Sequence, residues 1–205
     1  MKRNVKDKGL TMVGSFLLIL SVLLMLSKII YNAYLNKQES IKIEEFFEEQ
    51  EQTRDINEVS SDEKEETNSE HKSDYIAVIK IPKINLEKGL YDVNDINNNV
   101  DKNIQILKSS SYPDVIHGNF ILASHNGNSR VSYFRNINKL EYGDYVSIFY
   151  KNKEYKYKVM NMYEIEKNGT ANIIRNKEKT TLTLITCRHN TNKQIVVICE
   201  LVETL

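Results

Sequence analysis

Apolar and polar positions divide the chain into three stretches. From Leu10 to Ser27 no charged residue occurs, and Leu, Ile, Val and Met dominate. With Lys28 snorkelling, the apolar run continues to Leu35, long enough for a bilayer that needs roughly 20 residues. Lys2, Arg3, Lys6 and Lys8 precede it, which predicts a cytoplasmic N-terminus and an exported C-terminal part. The run leads into Lys28-Ile29-Ile30-Tyr31, not a small-residue cleavage site, so residues 1–35 read as an uncleaved signal anchor. Ile41 to Phe47 reads as a short amphipathic helix leaving the membrane. From Glu48 to Ser73 apolar residues nearly vanish, which predicts an extended tether there, within an acidic extracellular linker over 36–73.

From Asp74 onward the period changes to that of strands, and 74–205 reads as the folded domain. Ile76 to Ile81 is β-rich and ends at Pro82. Leu86 to Val93 is a second strand, and Asn97 to Leu107 is mixed, with room for a helical turn. Asn119 to Ser124 is strongly apolar. Val131, Phe134 and Ile137 fall at helical spacing and predict a short helix over 130–140. Tyr145 to Phe149 and Tyr155 to Tyr163 read as a hairpin around Lys151-Asn152-Lys153, with the Tyr-Lys alternation marking one buried and one wet face. Asn172 to Arg175 predicts a helical turn. Thr180 to Thr186 and Gln194 to Val202 are the last strands. About eight short strands with few helices point to an all-β barrel or sandwich.

Charge sharpens this division without changing it. The formal net charge is zero, yet residues 37–72 carry thirteen acidic against five basic side chains. The folded region is mildly basic, which does not call for a nucleic-acid partner. The acidic run reads as a solvated tether that holds the domain off an anionic membrane surface. Two cysteines do not make a disulfide framework.

The chemistry concentrates at Thr181-Leu182-Thr183-Leu184-Ile185-Thr186-Cys187. The alternation delivers a thiol to a strand end, beside the polar Arg188-His189-Asn190. A thiol that is partly exposed near positive charge is a usable nucleophile. On the residues alone, that reading is balanced by a small buried hydrophobe. Cys199 lies on the face of Ile195, Val197 and Leu201 and reads as core. Of the histidines, His71 sits in the tether and His117 in a turn before a strand. His125 ends the Asn119–Ser124 strand ahead of the flexible Asn126-Gly127-Asn128, and His189 lies two residues from Cys187. The pattern slightly favours His125.

Leu184-Ile185-Thr186-Cys187 resembles the TLxTC signature of sortases, the cysteine transpeptidases of Gram-positive cell surfaces. Gly118 to His125, then Phe134-Arg135-Asn136-Ile137 and Leu140 to Asp144, resemble the sortase strand that ends in the catalytic His. The resemblance runs from about Tyr75 to the end. It implies an eight-stranded sortase-type β-barrel with short helices behind one transmembrane helix. It implies Cys187 as nucleophile and acyl carrier, and His125 as proton donor and acceptor. The substrates implied are exported proteins with a C-terminal LPxTG-like sorting signal, and the acceptor is an amine on a peptidoglycan precursor. The enzyme would sit in the cell membrane with its catalytic domain outside, and no cofactor or metal is expected. A class A or class D member fits best: no second apolar segment comes after the barrel, and Tyr163 to Thr180 is short for class B. One departure stands out. The family places an Arg near the start of the last strand, where this chain has Gln194. Arg130 is expected to supply that cation, narrowly ahead of Arg188, with Lys193 a poorer donor. Two alternatives remain. One is a catalytically weak or inactive surface-binding domain on the same barrel. The other is a papain-like hydrolase, which the order of His125 before Cys187 disfavours.

Overall fold

The computed structural model describes residues 5–59, 73–168, 170–188 and 191–205, without the side chains of 5–10 and 54–59. Packing divides the chain into residues 1–41 and 42–205. The long helix α1, Val5–Val59, contributes to both. In the first unit its apolar side chains, among them Leu17, Leu18, Ile19 and Leu23, face no protein. The helix is long and apolar enough to cross a membrane.

Within the second unit, α1 extends into the stretch read as an extended linker, whose residues 60–72 lie outside the described part. Ile43 and Phe46, three residues apart, share one helix face. They bury that face on Tyr75 and Val78, with Phe47 against Phe149 at 5.1 Å between ring centroids. Lys42 pairs with Asp74 at 2.8 Å, and Glu49 accepts the Ser73 N–H at 2.7 Å. The compact unit therefore begins well before the expected boundary at Asp74, because an acidic, amphipathic segment still offers one apolar stripe.

The barrel has eight strands: β1 Ala77–Ile81, β2 Leu86–Leu90, β3 Gln105–Ile106, β4 Asn119–Ala123, β5 Tyr145–Tyr150, β6 Lys153–Glu166, β7 Thr181–Cys187 and β8 Lys193–Thr204. They form one sheet in the order β2-β1-β5-β6-β8-β7-β4-β3, the expected all-β barrel, nearly closed. The β2 and β3 edges are bridged by side chains. Asn103 donates to the Gly89 carbonyl at 2.8 Å, and buried Asn98 donates to the Val93 and Ile106 carbonyls. Alternate residues line the interior: Ile79, Ile148, Tyr157, Leu182, Leu184 and Val197. The Tyr-Lys alternation on β6 behaves as expected, with Tyr155 and Tyr157 buried and Lys156 and Lys158 partly wet.

Two expected helices are absent. Residues 130–140 form successive turns and a short 3-10 segment, Ile137–Lys139. Phe134, Ile137 and Leu140 are buried at a spacing of three, which suits that tighter winding, while Ser132 and neighbouring serines bond locally. Asn172 to Arg175 is irregular rather than helical. Tyr163 pins it, its hydroxyl donating to the Asn172 carbonyl at 3.0 Å and accepting the Ile174 N–H at 2.7 Å.

Candidate active site

Among the described residues one strand pair is parallel, and it sets the candidate site. Strand β4 runs beside β7 in the register Asn119↔Thr181 through Ala123↔Ile185. Parallel neighbours bring their C-terminal ends to the same edge, which antiparallel ones do not. The contact continues past the ladder, with the Ser124 N–H donating to the Ile185 carbonyl at 3.2 Å and the Thr186 hydroxyl to the Ser124 carbonyl at 2.7 Å. Carried past the ladder, which ends at Ala123↔Ile185, the same register matches His125 with Cys187. The other end of the pair is tied by Asn119, whose side-chain oxygen accepts from the hydroxyls of Thr181 and Thr183 at 3.0 and 2.9 Å.

Cys187 is half-buried at the last position of β7. Leu182 and Leu184 point into the core, so Cys187 lies on the opposite face, with Thr183 and Ile185. Directly across β8 stands Gln194, also half-buried. Antiparallel partners share a face, so the Gln194 amide is the cross-strand neighbour of the thiol. Cys199 faces the core with Ile195 and Val197 as expected, and burial pushes its thiol well above the usual range.

The His125 ring is half-exposed, and its Nε2 lies 2.9 Å from Asp101 Oδ1. Its carbonyl accepts the N–H of fully buried Phe134, which fastens the loop after β4 to the core. Arg135 donates to the Ser129 and Ser132 carbonyls and closes that loop on itself.

Of the two arginines singled out from sequence, Arg188 is engaged away from the thiol's face. Arg188 pairs with Glu164 of β6, and Lys193 reaches the same carboxylate at 3.4 Å. Glu164 is level with inward-facing Ile195, so this ion pair lies on the row behind Cys187 and Gln194. Arg130 is exposed and has no hydrogen-bond or ion-pair partner among the described residues. A cavity of about 660 Å³ opens beside Arg188 and Glu164, lined also by Asn126, Asn128, Arg135 and Asn136. His117 lies two residues before β4, at the far end of the parallel pair, in a left-handed conformation (φ 60°) with its ring against the Glu178 carbonyl. His71 and His189 lie outside the described residues.

Sequence reasoning misses Asp101 and the Cys187–Gln194 adjacency. Asp101 sits in a polar run that looks like any solvated loop. Gln194 stands out along the chain only as the place of an absent Arg.

The Sortase domain family model matches residues 79–202. Sortase D of Bacillus subtilis (strain 168) is 31% identical over 110 residues, which are 54% of this chain and 52% of that protein. The compared stretch thus spans about half the length of that relative. The Clostridium perfringens Sortase D5 transpeptidase superposes with a TM-score of 0.54 at 25% identity, covering 63% of this chain and 79% of that one. Sortase C1 of Streptococcus agalactiae gives a TM-score of 0.57 at 26% identity, over 64% and 69%. The likeness therefore reaches class C as well as the expected class D. With the family model spanning nearly the whole barrel, from within β1 to within β8, the chain belongs to the sortase family.

Proposed function

We propose that this chain is a membrane-anchored cysteine transpeptidase that acts on exported proteins with an LPxTG-like C-terminal sorting signal. The observation that carries the reading is the parallel β4–β7 pair, whose register, continued past Ala123↔Ile185, matches His125 with Cys187. The Cys187 thiolate attacks the carbonyl carbon of the signal's Thr, and a C–S bond forms. Collapse of the tetrahedral intermediate breaks the C–N bond, and imidazolium His125 gives its proton to the departing amine. A cell-wall precursor amine then attacks the thioester. The new C–N bond forms, the thiolate leaves, and His125 takes back a proton. The oxyanion needs a donor on the thiol's face. Gln194, directly across from Cys187, supports that role better than Arg188, whose guanidinium is engaged by Glu164. The apolar helix supports a single-pass anchor, and the basic residues before it support an N-terminus in the cytoplasm.

The test is incubation of the full chain in detergent with LPxTG-like peptides and varied amines, read by intact-mass spectrometry. The expected result is a peptide thioester on Cys187 that amines discharge, absent in Cys187→Ala. A second reading, a non-catalytic binding domain, is favoured by Gln194 standing at the family's Arg position. Peptide binding with neither thioester nor exchange product would establish it instead.

A further inference from the structure

We propose that Asp101 is the positioning residue for His125: its carboxylate receives the Nε2 proton, fixes the ring, and leaves Nδ1 as the nitrogen that exchanges protons with the amines. This rests on the transpeptidase reading above. A carboxylate at ordinary pH can only accept, so the Nε2 that lies 2.9 Å from Asp101 Oδ1 carries the hydrogen. Among the described residues Nδ1 has no partner. In the neutral ring Nδ1 is then the base, and in the imidazolium its hydrogen is the one free to move.

The loop that carries Asp101 is built to hold it there. The Asp101 N–H donates to Asn99 Oδ1 at 2.9 Å, and the Asn103 N–H donates to the Asn99 carbonyl at 2.8 Å. Asn98 Oδ1 accepts the Ile106 N–H at 2.6 Å, and Asn103 anchors the loop's end to β2. Asn98, Asn103 and Ile104 are buried, so the tip that bears Asp101 stands on a fixed base. The carboxylate itself is 79% exposed and the imidazole 41% exposed. Water screens such a pair, so its consequence is orientation and tautomer rather than strong attraction. The charged and titratable groups on the surrounding elements are Lys102 beside Asp101, Arg130 and Arg135 on the His125 loop, and Cys187 at the end of β7 with Arg188 just beyond it. Lys102 is turned to the Ile96 carbonyl, Arg135 to its own loop and Arg188 to Glu164. Asp101 is the one bonded to the ring.

The experiment uses the full chain in detergent micelles, labelled with 15N-histidine, as wild type, Asp101→Asn, Asp101→Ala and Asp101→Glu. His125 resonances are identified by their loss in His125→Gln. The neutral ring of the wild type should show the Nε2–H tautomer. Asp101→Ala should lose that preference, and Asp101→Glu should restore it at least in part. Turnover should fall about tenfold to a hundredfold in Asp101→Ala, a fraction of what a general acid contributes, with KM within about twofold and Asp101→Glu recovering part of the rate. Unchanged turnover in Asp101→Ala with an active wild type overturns the proposal and leaves the transpeptidase reading standing. Faster turnover in Asp101→Ala also overturns it, since the carboxylate would then be holding the ring away from its task. If the wild type itself forms no thioester, the transpeptidase reading fails and the tautomer decides. An Nε2–H preference that Asp101→Ala abolishes upholds the positioning role, and one it leaves intact ends it.

Discussion

Cys187 and Cys199 differ by twelve positions and by everything that governs a thiol. Cys199 is fully enclosed, and burial disfavours its thiolate. Cys187 is half-buried at a strand end. Iodoacetamide should therefore modify one cysteine in the folded protein, Cys187 by peptide mapping, with Cys199 reacting only after urea is added. Early modification of Cys199 would refute the placement. Cys199→Ala should cost about 1 kcal/mol of stability through a small cavity and leave thioester formation in place. Gln194 is the sharper test. Loss of one oxyanion donor typically costs about 100- to 1000-fold in rate, so Gln194→Ala should lower turnover by at least about 100-fold with normal labelling of Cys187. Gln194→Arg should keep or raise turnover, because the longer side chain presents a fixed fork of donors on the same face. If Arg130→Ala removes turnover and Gln194→Ala does not, the donor is Arg130.

Among the elements, the C-terminal part of α1 is the unexpected partner of the barrel. Phe46 is 1% exposed, wedged against Tyr75 and Val78 on the outer face of β1. Gly89 opposes Val78 there, and a Cβ at Gly89 would meet the Tyr75 ring at 2.2 Å. Phe46→Ala should lower unfolding stability by about 3 kcal/mol, read in urea, and a fragment starting at Asp74 should show a similar deficit. Equal stability of that fragment and one starting at Lys42 would mean the helix contributes nothing. On β4, Asn119 serves two threonine hydroxyls of β7 at once. Asn119→Ala leaves the buried Thr183 hydroxyl short of an acceptor, while that of Thr181 keeps the Gly118 carbonyl, and should cost about 1–3 kcal/mol.

At the scale of the molecule, the barrel gathers groups that resist losing protons. Burial pushes Tyr112 up to about 12, and Tyr150, Tyr155, Tyr157 and Cys199 also lie above their ordinary values. The folded state then binds these protons more tightly than the unfolded one, so stability falls as pH rises. Their contribution is full below the unfolded values, 9.0 for Cys and 10.0 for Tyr, and falls progressively as pH rises above them, through about 12 for Tyr112 and still further for the more deeply buried Tyr157 and Cys199. Denaturation midpoints should be flat with respect to these groups near pH 8 and should drop steadily above pH 10. A midpoint that rises across that range would contradict the burial. The other molecular property is topology. Protease added to intact protoplasts should remove the 42–205 unit, and full protection would mean the reverse orientation.

The sequence by itself determined what depends on neighbours along the chain. The charge-free run after four basic residues makes a membrane-length helix. Period-two alternation fixes the faces of β6, β7 and β8, and with them a core Cys199 and a Cys187 at the end of β7. The tertiary structure decided what depends on register. Nothing local says that β4 pairs with β7 in parallel, and it is that register which, carried past the ladder, matches His125 with Cys187. Nothing local turns Arg188 to Glu164 or sets Gln194 across from the thiol, because strand order and stagger choose those partners. The spacing of Val131, Phe134 and Ile137 fits a helix equally well until the barrel accepts residues three apart. Asp101 lies 24 positions before His125 and is joined to it only when buried Asn98 and Asn103 fold their loop against the open edge of the sheet.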